Sequence, residues 1–73
     1  MSLTIGNIIQ ANEAFTASFT LPFNEMKIPI YIINGQIFTV SWIDLNNKVY
    51  FLIEDEGMGA EIEFNDENKF VVI

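Results

Sequence analysis

The stretch IPIYIINGQIFTVSWIDLNNKVYFLIEDEGMGAEIEF, residues 28–64, decides the fold. Its β-branched and aromatic runs, 28–33, 37–45, 48–54 and 60–64, are separated by Asn34-Gly35, Asn46-Asn47 and Asp55-Glu56-Gly57-Met58. Short apolar runs bounded by turn residues are strands. Asn34-Gly35 tolerates positive φ at both positions, which predicts a type I′ hairpin joining the first two strands.

Turn length sets register, and a slip of one residue exchanges the faces of a strand. A two-residue loop at Asn46-Asn47 pairs Leu45 with Lys48, Trp42 with Phe51 and Val40 with Ile53. A loop over 55–58 pairs Phe51 with Ile62 and Val49 with Phe64, so large apolar residues share one face. The other face then reads Ile43–Tyr50–Glu63 and Ser41–Leu52–Glu61. Through Asn34-Gly35, Tyr31 pairs with Phe38, and Ile28, Ile30 and Ile32 join Ile37 on the second face. That end of the sheet is apolar on both sides, whereas antiparallel sheets usually wet one.

Outward from this stretch, Phe15–Leu21 alternates apolar residues with hydroxyls and reads as a strand. Asn65-Asp66-Glu67-Asn68 turns into a further strand, Lys69–Ile73. Residues 3–11 fit either a strand or one face of a helix. The expectation is a single small all-β domain, 1–73: an antiparallel meander closing into a five- to six-stranded barrel or mini-sandwich. In layout it resembles SH3-like small barrels, a likeness of architecture that implies no particular ligand.

The chain has ten carboxylates, three lysines, no arginine, no histidine and no cysteine, a net charge of −7. These absences argue against a disulfide framework, a thiolate nucleophile, a cysteine-based zinc site or a histidine general base. Three lysines neutralise few phosphates, so no direct nucleic-acid binding is expected, and the negative charge disfavours anionic membrane surfaces. With no basic leader and no long apolar run, a cytoplasmic protein is the default expectation. Residues 1–43 hold Glu13, Glu25 and Lys27, a net of −1; residues 44–73 hold eight acids and two lysines, a net of −6.

The acidic set is Asp44, Glu54, Asp55, Glu56, Glu61, Glu63, Asp66 and Glu67. One reading is a negative surface for a protein partner with a basic surface, since spaced carboxylates on a rigid sheet imitate a phosphate array and speed encounter. The other is that the charges keep an apolar chain soluble. Tyr50 and Leu52, placed outward beside Glu61 and Glu63, fit either a contact patch or a second core layer. Glu54-Asp55-Glu56 with Glu61 lacks the alternating acids of an EF-hand loop, so no metal is expected. Glu61 and Glu63 share a strand face as glycosidase carboxylates could, but so short a chain has little room for a substrate pocket. Without a base to activate a hydroxyl nucleophile, and without a Gly-rich phosphate loop, neither enzyme activity nor a cofactor is expected.

The composition resembles that of small acidic inhibitors with which phages block host nucleases and other defences, and the Ile- and Asn-rich, Arg-free usage fits an AT-rich coding sequence. That resemblance implies a non-enzymatic module occupying a nucleic-acid- or nucleotide-binding surface in the host cytoplasm. The alternative is a structural subunit forming a homodimer through Ile28, Ile30, Ile32, Phe70 and Val72. An apolar terminal strand left as an open edge would invite such pairing.

Overall fold

A computed structural model describes residues 2–73. The fold is all-β: β1 (Ile8–Ala11), β2 (Phe15–Thr20), β3 (Lys27–Ile32), β4 (Ile37–Asp44), β5 (Val49–Ile53), β6 (Gly59–Glu63), a 3-10 helix (Phe64–Lys69) and β7 (Phe70–Val72). The seven strands form one antiparallel sheet in the order β3-β2-β6-β5-β4-β1-β7. Residues 8–11 are therefore strand, held between β4 and β7.

The sheet curls. The connection from Ile32 to Ile37 spans at most about 18 Å of chain. Passing beside a flat sheet from β3 to β4 would need about 19 Å sideways, and this connection also contains a turn. Curling folds the apolar side onto itself as a core of Leu3, Ile9, Ala11, Ile32, Phe38, Val40, Tyr50, Leu52, Ala60, Ile62 and Phe70. Phe70 is its hinge point, meeting Phe15 and Phe38 edge-on at 5.7 and 6.2 Å between ring centres. The edge strands β3 and β7 do not pair with each other, so the expected closed five- to six-stranded barrel is replaced by an open, curled seven-stranded sheet.

Three local features depart from the sequence reading. First, Asn34-Gly35 does not join paired strands: β3 pairs with β2, and β4 with β5 and β1. Gly35 has φ 93° while Asn34 is not left-handed, and Gln36 N–H donates to Ile33 O at 3.2 Å. This is the φ pattern of a type II turn, which splays the flanking strands. Gly35 N–H donates instead to Ala11 O (2.8 Å), handing the chain to β1. Tyr31 and Phe38 are consequently not partners; Phe38 and Ile32 enter the core, and Tyr31 is exposed.

Second, the β5–β6 loop is one residue shorter than expected. Glu54 N–H donates to Met58 O and Gly57 N–H to Glu54 O, with Gly57 at φ 88°. This three-residue loop puts its glycine in the left-handed position. The slip pairs Tyr50 with Ile62 and Phe51 with Glu61, exchanging the expected faces. Third, Trp42 does pair with Phe51, but Ser41 is an extra residue, so Val40 lies opposite Leu52 rather than Ile53. The Ser41 hydroxyl donates to Phe51 O (3.0 Å). The bulge reverses the alternation, leaving Val40 inside and Trp42 outside.

Both free edges are poor templates. Leu21 N–H donates to Met26 O, so alternation points the odd-numbered β3 residues, Pro29 among them, away from β2. Proline removes the donor at the middle of that edge. At the other edge, β7 is three residues long and its Phe70 N–H is taken by Glu67 O.

Candidate functional site

The outer face carries a groove of about 600 Å³ with β6 at its base. Ser18 and Thr20 of β2 and Lys27 of β3 line one side, Asp44, Asn47, Val49 and Phe51 of the β4–β5 hairpin the other, and Glu61 and Glu63 also line it. The register creates this mixture: opposite Glu61 and Glu63 stand Phe51 and Val49, both half-buried.

The three carboxylates have different jobs. Glu61 straps the sheet together where β2 and β6 share only the pair Ser18–Glu61. Thr20 N–H donates to its Oε2 (2.7 Å) and the Thr20 hydroxyl to its Oε1 (2.9 Å). Asp44 caps the β4–β5 turn, accepting from Asn46 N–H and Asn47 N–H (3.0 Å each) and from Asn47 Nδ2 (2.9 Å). The Asn47 side chain, more than any other contact, holds its carboxyl below the usual range. Glu63 is exposed and makes no hydrogen bond or ion pair among the described residues. It is the carboxylate most available to a partner, and it also borders a smaller recess of about 250 Å³ with Phe64 and Asn65.

Comparison with known proteins finds no family model, no curated protein and no solved structure that matches the chain. Function is therefore read from the groove and the surface around it.

The rest of the acidic set lies elsewhere. Glu54 accepts from Gln36 Nε2 (2.9 Å), and Asp55 and Glu56 are exposed on the β5–β6 turn. Asp66 pairs with Lys69 (3.1 Å), whose ammonium lies 4.4 Å from the centre of the Phe15 ring. Among the described residues, no group of three or more potential ligands could hold a metal ion, and no helix is long and apolar enough to cross a membrane.

Glu67 ties the N-terminal segment down. Its carboxylate accepts from the Ser2 hydroxyl, from Ser2 N–H (3.0 Å) and from the Tyr50 hydroxyl (3.3 Å), beside the buried Leu3. The Ser2 hydroxyl is the chief cause that lowers its pKa. A carboxyl lowered on folding contributes stability above its unfolded pKa and loses it as pH falls through the folded one. Glu67→Gln is expected to cost about 1 kcal/mol at pH 7, reduced by solvent screening. The gap should shrink at pH 3. Urea midpoints for both proteins at the two pH values measure it, and an equal gap at both would contradict the tie.

Tyr50 and Leu52 lie in the core, not on the surface; burial raises the Tyr50 pKa, and its ring packs on Phe64 with centres 4.7 Å apart. Of the expected oligomer residues, Ile32 and Phe70 are also buried, and Ile28 and Ile30 are partly covered on the inner side of β3. Val72 alone among those five is exposed, at the open rim. The sequence reading missed the exposure of Trp42, Ile8, Ile53 and Val71. It did set Ile37 on the face opposite Phe38, the side that is exposed in the structure; nothing local announced the bulge that turns Trp42.

Proposed function

We propose that the protein is a non-enzymatic binding module that docks through its acidic groove onto the basic surface of a protein partner. Its concrete form is an inhibitor of the kind phages use, working in the host cytoplasm and masking a surface that grips nucleic acid or nucleotides. In this reading the curled sheet serves as a rigid, barrel-like mount. The single observation that carries it is the unpaired Glu63, beside Glu61 and Asp44, at a groove whose one base is Lys27 and whose sides expose Val49 and Phe51. Apolar contact ringed by like charge gives a docking patch both area and long-range steering.

Tagged wild type and Glu63→Lys, incubated with a host lysate and eluted in a salt gradient, test the reading. Wild type should retain a basic protein that is released as salt screens the carboxylates. Glu63→Lys, which keeps every hydrogen bond described above, should weaken that protein's affinity at least tenfold. Recovery of no basic protein, or equal affinity for both baits, overturns the proposal.

A further inference from the structure

The outer face of β1 and β7, with the Ile37–Trp42 part of β4 and Ile53 of β5, carries no charged side chain and is mostly apolar. Across the ladders, Ile73, Ile8, Thr39 and Ile53 stand in one row, and Val71, Gln10 and Ile37 in the next. The five aliphatic side chains are 42–59% exposed, and Trp42, 60% exposed, follows on the same side of β4. No acidic or basic residue occupies either row, although the molecule carries a net −7.

We infer that this face is where a second copy of the chain docks, face to face about a two-fold axis. The occupant follows from charge. Two copies at −7 repel wherever carboxylates meet, and the uncharged rows are the surface on which they approach with their acids held to the rim. A basic partner would have to strip water from its cations there with nothing to pair them. Edge-to-edge pairing is closed off by Pro29 on β3 and by the short, partly occupied β7. A sheet packing on an identical sheet needs no new complementarity, because an isologous contact matches each residue with its own patch.

Area sets the strength. The five aliphatic side chains are only about half exposed, so the rows offer less than the roughly 800 Å² per partner of a standard interface, and the outside of a curled sheet is convex. The dimer is therefore weak, forming in the micromolar range and exchanging quickly. Its residues replace Ile28, Ile30, Ile32 and Phe70, which the fold turns inward.

Sedimentation equilibrium of the full chain from low to high micromolar concentration tests the inference, at low and high salt. The expected mass rises from 8.3 kDa toward twice that value, and further at high salt, which screens repulsion. Salt should have the opposite effect on the acidic groove, so failure of one reading is distinguishable from failure of the other. Ile8→Glu and, independently, Ile53→Glu should each hold the mass at 8.3 kDa with an unchanged circular dichroism spectrum. A wild type that stays monomeric throughout overturns the inference. So does a dimer that survives both folded variants, since another surface then joins the copies.

Discussion

Phe70→Ala is expected to remove from about a quarter to all of the fold's stability at 25 °C. Phe70 is 6% exposed, it is the ring against which both Phe15 and Phe38 stack, and β7 holds it across the open side of the curl. Truncating a buried Phe costs about 3–5 kcal/mol. A chain of 73 residues commands about 4–11 kcal/mol in all. Neighbours on β2, β4 and β7 cannot all collapse into the vacated space, because each is fixed by its own ladder. Urea titration followed by circular dichroism should show the midpoint fall by about a quarter or more. A fall of less than 1 kcal/mol would mean that Phe70 is not part of the core. Because the residue is internal, this loss should also appear at concentrations where the chain is monomeric, which separates packing from self-association.

Leu52→Ala and Phe51→Ala, compared side by side, test the register of β5. Leu52 is 2% exposed opposite Val40 and Ala60, while Phe51 lies on the outer side between Trp42 and Glu61. Leu52→Ala should cost about 2–5 kcal/mol. Phe51→Ala, although it removes more atoms, leaves a gap that water can enter and should cost about 1 kcal/mol. The order of the two urea midpoints decides the matter. If Phe51→Ala is the more damaging, the strand sits one residue away, with Phe51 opposite Ile62.

That comparison turns on the place where sequence reading met its limit. Every strand from β2 to β7 was legible as an element, because β-branched runs between turn residues are a local signal. The Trp42–Phe51 pairing was also legible from the Asn46-Asn47 turn. What failed were features decided by one residue's φ. Gly57 in the left-handed position shortened a loop by one residue and exchanged the faces of β5 and β6. Asn34-Gly35 reports that the chain turns there; the partner of each strand is chosen by the curl of the whole sheet, which no four-residue window contains. At the groove, Glu61 and Glu63 were legible as strand acids sharing a face. Their apolar company was not: it is Val49 and Phe51 rather than Tyr50 and Leu52. The strap from Glu61 to Thr20 joins residues far apart in sequence and left no trace in the pattern.

The position of β1 between β4 and β7 has a consequence for biosynthesis. A nascent chain emerges from its first strand to its last, so β1 waits for β4 before it has any ladder, and for β7 before it has its second. Until Phe70 arrives, Phe15 and Phe38 lack the ring they stack on. Ordering driven by such distant partners is slow, because the loops must close before any contact rewards them. The growing polypeptide thus carries Ile- and Phe-rich segments without their final partners from the emergence of β1 until that of β7. That is when a holding chaperone would engage it, the more so because residues 1–43, which emerge first, carry a net of only −1 to keep unfinished chains apart.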